Sequence, residues 1–366
     1  MSRSAVHSSE SAAQIVGLRA HAFELELNEP FGIAGGSPER ARIAAVELQL
    51  ADGTVGLGEA APLTAYNGET LEDALRAVTA AAPLLVGRDG RAWRQRALEL
   101  RAVTEGSAAA RCAVETALLD ALARQSGWSL RDWFGGAAVT ELESDVTIPI
   151  MEPELAHDAA ARWWARGFRK LKIKVGLGAD LARVLAAHAG APEALLSLDA
   201  NAAFDAEHAC QLLAGLQAAG VPIELFEQPV AAQDWPGLAQ VAARTRVALD
   251  ESVVSAADAQ LAAELLGPPH VINVKLMKSG ICEALDIVAV ARSSGMSLMI
   301  GGMLESTLAM TMSACFAAGQ GGFEFVDLDT PLFLASSPFT GGFTMRGALL
   351  DLSTLTRGHG VRLQSG

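Results

Sequence analysis

Apolar and polar positions along this chain follow two rhythms, and the change between them falls near Gly135-Gly136. Before that point, residues 15–27 and 41–50 read as strands, and Asp52-Gly53 supplies a hairpin turn into a third strand at 55–59. The stretch 30–38, Pro30-Phe31-Gly32-Ile33-Ala34-Gly35-Gly36-Ser37-Pro38, is rich in glycine and proline and reads as a loop. A second loop at 60–69 holds the only tyrosine, Tyr66. Helical patterns cover 70–85, 93–100 and 107–125; in the last, Val114, Leu118 and Leu122 fall on one stripe and Gly127 supplies the stop. These elements predict an α+β domain at 15–135, a small antiparallel sheet with helices beside it.

After residue 136 short apolar strands alternate with alanine-rich helices. The expected strands end near Ile150, Val175, Asp199, Glu227, Asp250, Lys275, Ile300 and Asp327, about 23 to 28 residues apart. That spacing accommodates one strand, one crossover helix and two short loops. Eight such units predict a parallel β/α barrel. An open doubly wound sheet shares the alternation, but no Gly-x-Gly-x-x-Gly follows the first strand to suggest a dinucleotide fold. The last strand leads into Thr330-Pro331 and a Gly/Ser/Pro-containing connection, so the final helix is expected to be missing. The expected fold is therefore α/β, a modified TIM barrel (β/α)7β at 136–340 following the α+β domain. Residues 341–366 are expected to return to the first domain, and the polar, serine-rich residues 1–14 to be disordered.

Composition narrows the function classes. A formal charge of −14 and a pI near 5.0 argue against nucleic acid or an anionic membrane surface as partner. No 18-residue apolar run marks a membrane span, and the N-terminal dozen residues lack an apolar secretion signal. Cys112, Cys210, Cys282 and Cys315 are widely separated in apolar surroundings, without metal spacing or disulfide density. Reduced, buried thiols in a cytoplasmic protein are expected.

The chemistry lies at the strand ends. In Lys170-Leu171-Lys172-Ile173-Lys174-Val175, alternation puts Leu171, Ile173 and Val175 on one face and Lys172 and Lys174 on the other, about 7 Å apart. Lys170, one step deeper, is given no role. In a barrel every strand has the same polarity, so the carboxyl ends converge on one mouth. Reading those ends in order brings together Lys172, Lys174, Asp199, Glu227, Asp250, Lys275, Asp327 and Asp329. Asp199, Glu227 and Asp250 each close an apolar run on successive strands. Three carboxylates at one point repel unless a cation joins them, and an all-oxygen donor set suits Mg²⁺, one per subunit.

Lys275 stands four strands from Lys172 and Lys174, diametrically opposite in an eight-strand ring. A carboxylate held on the cation would then have a lysine on each face of its α-carbon. Burial and neighbouring positive charge are expected to lower a lysine's pKa enough for it to act as a base. Mg²⁺ aimed at the carboxylate would stabilise the enediolate that α-proton removal builds. Asn201 and Glu251 are expected to support this centre. Thr147, and Gly302 and Met303 in the loop 301–306 that also contains Glu305, are candidate substrate contacts. Lys278 is expected to be a loop or surface residue.

Lys172-Ile173-Lys174, Asp199-Ala200-Asn201, Glu227-Gln228-Pro229, Asp250-Glu251-Ser252 and Asn273-Val274-Lys275 together resemble the muconate-lactonizing subgroup of the enolase superfamily. The resemblance spans nearly the whole chain. It implies that the α+β domain is a capping domain whose loops near 31–37 and 60–69 close over the substrate. It also implies Asp199, Glu227 and Asp250 as metal ligands, Lys174 and Lys275 as bases on the two faces, and Lys172 as support for Lys174 and for the substrate carboxylate.

Within the subgroup, Asp327-Leu328-Asp329 resembles the α-ammonium motif of dipeptide epimerases of the L-Ala-D/L-Glu type, with both carboxylates on one side of the strand. A Mg²⁺-dependent dipeptide epimerase is the expected function. An N-acylamino acid racemase or o-succinylbenzoate synthase is the alternative within the same chemistry. A metal-stabilised binding barrel without turnover is the alternative of another class. The residues leave open which dipeptide is used, and whether Arg40 or Arg42 reaches the cleft. Relatives of this kind are often homo-oligomers.

Overall fold

The computed structural model describes residues 11–136 and 138–364. Strands β1 (Ile15–Glu26), β2 (Arg40–Leu50) and β3 (Val55–Ala60) form an antiparallel sheet in that order. A short helix, α1 (Thr64–Asn67), interrupts the second expected loop. Helix α2 (Leu71–Leu85) begins with reciprocal bonds: Asp73 N donates to Thr70 Oγ1 over 3.1 Å and Thr70 N to Asp73 Oδ2 over 3.0 Å. Donors that a helix start leaves open are thereby satisfied. Helices α3 (Trp93–Arg101), α4 (Ala108–Ser126) and α5 (Leu130–Trp133) follow.

Most of α4 is buried, because glycine and alanine let its backbone lie directly on β3. A Cβ added at Gly58 would stand 1.9 Å from Ala113 O, with Ala117 N at 2.9 Å. Neither obstacle is a movable side chain, so sheet and helix must separate. Gly58→Ala is expected to cost at least about 2–3 kcal/mol of stability, read as a lowered midpoint in urea denaturation.

Past β4 (Glu141–Glu143), eight strands run parallel, each bonded to the next. They are β5 (Val146–Ile148), β6 (Lys170–Lys174), β7 (Leu195–Asp199), β8 (Leu225–Glu227), β9 (Val247–Leu249), β10 (Val271–Val274), β11 (Ser297–Ile300) and β12 (Phe323–Val326). Their ends fall within two residues of those expected. Crossovers are helical: α6 (Pro153–Ala165), α7 (Asp180–Gly190), α8 (Ala206–Ala218), α9 (Trp235–Ala242) and α10 (Ala256–Leu265), then α11 (Leu276–Ser279) with α12 (Ile281–Ser294), and α13 (Thr307–Gln320). The two edges meet where Asp145 N donates to Val326 O over 2.9 Å and Leu328 N to Ser144 Oγ over 2.9 Å. Among the described residues no long helix follows β12, so the barrel is the (β/α)7β form.

Short strands β13 (Phe339–Thr340), β14 (Thr344–Arg346), β15 (Leu349–Asp351) and β16 (Arg362–Leu363) complete the chain; β14 and β15 join β4 in a separate sheet. The last segment lies against α4, where His359 N donates to Asp120 Oδ1 over 2.9 Å and Arg124 Nη2 to Val361 O over 2.7 Å.

Two buried glutamates fix the first sheet and α4 to the barrel. Glu115 on α4 accepts from Ile281 N and Cys282 N, at 2.6 and 2.9 Å, at the start of α12. Glu59 on β3 accepts from Ser306 N at 2.8 Å, at the start of α13. Burial pushes both carboxyls up to about 7. The expected tail lies outside the described residues up to position 10. Residues 11–14 depart from the expectation of disorder: Ala13 is buried and Gln14 bridges to Asp89, because Gly90 N donates to Ala13 O over 2.9 Å and Ala51 N to Gln14 O over 2.8 Å. Among the described residues, no helix is long and apolar enough to cross a membrane.

Candidate active site

Parallel register sets the site's level. Lys172 pairs with Ser197, Lys174 with Asp199, and Asp199 in turn with Glu227. Asp250 and Lys275 directly follow β9 and β10. The sequence-derived residues therefore meet at the carboxyl end of the barrel, and Asp199, Glu227 and Asp250 are fully buried there.

Lysines bridge these carboxylates. Lys174 Nζ donates to Asp199 Oδ2 over 2.6 Å and to Asn201 Oδ1 over 2.8 Å. Lys172 Nζ lies 3.2 Å from both Asp199 Oδ2 and Glu227 Oε2, and also bonds Asp327 Oδ2. On the other side, Lys275 Nζ is 2.7 Å from Asp250 Oδ2 and 3.5 Å from Glu227 Oε1. Asn201 Nδ2 reaches Glu251 Oε1 at 3.4 Å, linking the two expected supporting residues.

The lowering expected beside a bound cation is not what the protein's own groups produce for Lys172 and Lys275. Burial pulls Lys275 down, but Asp250 and Glu227 outweigh it and hold the ammonium above its ordinary range. Burial likewise opposes Lys172, which Asp327, Glu227 and Asp199 raise well above that range. The reason is local charge balance: each ammonium is packed between carboxylates, not beside a net positive centre. The donor set itself fits a hard divalent cation, being three buried carboxylates with no nitrogen or sulfur among them.

Two residues of this centre were not legible in the sequence as functional. Lys278, expected at the surface, is buried. Its Nζ donates to Asp250 Oδ1 at 2.8 Å, Asp250 O at 2.7 Å and Asn273 O at 2.9 Å, because the single turn of α11 folds it back under β10. The Lys-x-x-Lys spacing, one helical turn, was the available signal. Gln228 is also buried, and its φ of +32° places a non-glycine residue in the left-handed region. Its Oε1 accepts from Asp250 N and Ser252 N at 3.1 Å, while Nε2 donates to Val230 O at 2.9 Å and Ser252 Oγ at 2.8 Å. It ties the end of β8 to the end of β9, and so Glu227 to Asp250.

A second acidic group adjoins the first. Asp327 and Asp329 follow β12, and Thr147 N donates to Asp329 Oδ2 over 2.5 Å. Asp329 Oδ1 is buried without a partner. Burial, then the neighbouring Asp327, pushes the Asp329 carboxyl up to about 7. Asp145, not singled out in the sequence, joins them: one oxygen from each of the three lies within 4.8 Å of the others, close enough to hold a cation.

Lys172, Lys174, Asn201, Glu251, Lys275, Asp327 and Asp329 border a cleft of about 850 Å³, open solvent at its mouth included, which reaches from the barrel mouth to the loops of the first domain; Asp145, Asp199, Glu227, Asp250, Lys278 and Gln228 are not part of its lining. Thr147, Lys172, Lys174, Lys275, Gly302, Met303, Asp327 and Asp329 line it as expected. Phe31, Ile33, Pro38, Leu63 and Tyr66 enclose it from the other side. Gly32 allows that closure: Ile150 N donates to Gly32 O over 2.9 Å, and a Cβ at Gly32 would lie 2.6 Å from Ile150 O. Glu305 does not enter the cleft; it turns back and accepts from Met303 N at 2.7 Å. Arg40 and Arg42 lie outside it, exposed and paired with Glu24, Glu26 and Glu72.

Comparison with known proteins gives consistent matches. Residues 15–135 match the N-terminal domain model of mandelate racemase/muconate lactonizing enzymes, and residues 154–365 match the enolase C-terminal domain-like model. An aromatic dipeptide epimerase of Herpetosiphon aurantiacus is 46% identical over 95% of this chain and 99% of its own length. A mandelate racemase/muconate lactonizing enzyme structure from Roseiflexus sp. is 48% identical, with a TM-score of 0.91, covering 98% of this chain and 100% of that one. A dipeptide epimerase structure from Enterococcus faecalis, complexed with Mg and the dipeptide L-Leu-L-Tyr, is 33% identical with a TM-score of 0.90. It covers 95% of this chain and 99% of its own.

Proposed function

The chain belongs to the mandelate racemase/muconate lactonizing enzyme family of the enolase superfamily, and from that premise we propose that it is a dipeptide epimerase acting on hydrophobic dipeptides. The observation that carries this reading is the pairing, in one cleft, of opposed lysines with a buried Asp-x-Asp that keeps an unpartnered carboxylate oxygen. A protonated amine supplies the donors and charge such a site lacks. An N-acyl cap brings no charge, which disfavours the N-acylamino acid racemase alternative.

In this reading Asp199, Glu227 and Asp250 hold one Mg²⁺ per subunit, with Asn201, Glu251, Lys278 and Gln228 keeping the ligands and Lys174 in place. When bound, the cation takes up the negative charge that otherwise holds the lysines protonated, and draws electron density from the substrate carboxylate as the α-proton leaves. One lysine of the pair Lys174 and Lys275 removes that proton from the C-terminal residue of the dipeptide, and the other delivers a proton to the opposite face. Lys172 stays protonated between Asp327 and Glu227, beneath the substrate carboxylate. Asp327 and Asp329 receive the α-ammonium, and Thr147, Gly302 and Met303 border the peptide.

The hydrophobic preference follows from the wall contributed by residues 15–135, acting as a cap over the barrel at 136–340 and its returning segment at 341–366. Phe31, Ile33, Pro38 and Leu63 of that wall, together with Met303 and Leu304 of the barrel, offer no charge to an acidic side chain. The four cysteines are unpaired and buried, in keeping with a cytoplasmic protein.

Incubation in D₂O with Mg²⁺ tests the reading by mass spectrometry. Leu-Tyr is expected to incorporate deuterium at its C-terminal α-carbon and to epimerise, at least about tenfold faster in kcat/KM than Ala-Glu. Chelation of Mg²⁺ is expected to stop both reactions, and its return to restore them. No incorporation into any dipeptide would refute the reading, while a preference for Ala-Glu would remove its hydrophobic part.

A further inference from the structure

Glu305 stands outside the cleft, yet it is buried and holds the backbone of a residue that lines it. Gly302, Met303 and Leu304 enter the cleft wall from the loop between β11 and α13. Among the described residues, that loop makes no backbone–backbone hydrogen bond from 302 to 305. We propose that Glu305 is a positioning residue for substrate selection, its carboxyl fixing Met303 so that the wall facing the dipeptide's apolar side chain keeps one shape. This inference rests on the dipeptide reading and names a residue behind its hydrophobic preference.

The loop's hydrogen bonds run through side chains. Glu305 Oε1 accepts from Met303 N at 2.7 Å. Glu305 is itself clamped by Thr330, whose Oγ1 accepts from Glu305 N at 3.3 Å and donates to Glu305 O at 2.8 Å. The next residue, Ser306, donates its N–H to Glu59 of β3. Glu305 and Ser306 thus tie the cleft wall both to the end of the barrel and to the first domain. Gly302 leaves room for this arrangement, since a Cβ there would stand 3.3 Å from Glu305 Oε1 and 2.2 Å from Met310 Cε.

Charge fits a positional role. Burial, with Glu59 adding to it and the Met303 N–H opposing it, pushes the Glu305 carboxyl up to about 8. At neutral pH the group is therefore an uncharged acceptor, and glutamine reproduces its acceptor oxygen at the same side-chain length. Without that oxygen, Met303 N is a buried donor with no partner, and the main chain carrying the wall is free to shift. A substrate side chain packed on the wall reads the shift. The α-carbon does not, because Lys174 and Lys275 are held by Asp199, Asn201 and Asp250 and not by Glu305.

The test measures KM and kcat separately for Leu-Tyr and Ala-Glu. Glu305→Ala is expected to raise KM for Leu-Tyr by about five- to tenfold, the loss of one buried hydrogen bond. Its kcat for Leu-Tyr and its KM for Ala-Glu are expected to stay within about twofold of the wild type. Glu305→Gln is expected to keep the wild-type values throughout. Destabilisation alone would lower kcat for both dipeptides by loss of active enzyme and would not separate their KM values. An alanine variant with the wild-type KM for Leu-Tyr, one in which both KM values rise together, or a glutamine variant that behaves as the alanine one would each overturn the proposal. Should Glu305→Ala fail to fold, Glu305→Met, similar in size but without the acceptor, makes the same comparison, and the glutamine variant alone can still overturn it. A wild type that exchanges no dipeptide proton removes the dipeptide reading and this inference together, whereas turnover with KM values that the variants do not separate removes only the inference.

Discussion

Lys174→Ala is expected to reduce epimerisation by at least about 10³-fold while leaving α-proton exchange intact for one of the two dipeptide diastereomers. Inversion needs a base on each face of the α-carbon, whereas exchange needs one. With Lys174 removed, Lys275 still deprotonates the diastereomer whose α-proton points to it, and returns a solvent-derived deuteron to the same face. Lys275→Ala is expected to give the mirror pattern, exchanging the other diastereomer through Lys174. Neither loss should unfold the site. Asp199 keeps Lys172 at 3.2 Å when Lys174 is gone, and Asp250 keeps Lys278 at 2.8 Å when Lys275 is gone.

The measurement is deuterium incorporation into L,L- and L,D-dipeptides by each variant, with chiral analysis of the product. Complementary exchange in the two variants supports the two-base arrangement. Exchange of the same diastereomer by both would place the lysines on one face and end the argument. Epimerisation within about tenfold of the wild type would show that the replaced lysine is not a required base.

The strand-end series was legible because a parallel barrel converts sequence position into spatial level. Each of Asp199, Glu227 and Asp250 closes an apolar run, and identical strand polarity brings such endings to one mouth. Alternation put Lys172 and Lys174 on one strand face, and only the strand-end series turned that face towards the barrel mouth. Lys278 and Gln228 were not, since their placement depends on backbone that departs from regular structure: a one-turn helix after β10 and a left-handed residue after β8. Asp145 was hidden for a different reason. It stands before its strand, not after it, and only closure of the sheet between β5 and β12 carries it to Asp327 and Asp329. Residues 11–14 were assigned to a tail from composition, although long-range pairing with Asp89 orders them.

Asp329→Asn is expected to separate function from stability, raising one while it damages the other. In function, the variant loses a carboxylate oxygen aimed at the amine and can present an amide N–H₂ to a cation. KM for a free-amine dipeptide should therefore rise by about 100-fold, whereas N-acylated substrates should be unaffected. Near-wild-type dipeptide turnover would favour the N-acyl alternative.

In stability, the sign is opposite. The Asp329 carboxyl ordinarily titrates near 3.8 and is pushed to about 7 here by burial and Asp327. Below the ordinary value both folded and unfolded chains carry the proton, and the group costs nothing. Between the two values the unfolded chain has released its proton and the folded chain has not, so stability falls as pH rises, and the full cost persists above about 7. Asparagine does not titrate and removes that penalty, although its amide needs a partner where Asp329 Oδ1 has none. The ligand-free variant should thus match the wild type at about pH 3.8 or below and exceed it at pH 8 by about 1–3 kcal/mol, measured by urea denaturation at both values. A variant less stable than the wild type at pH 8 would mean that the charge of Asp329 supports the fold. A pH-dependent gain accompanied by weakened dipeptide binding would mean that the barrel carries an uncompensated acid whose counterion is the substrate.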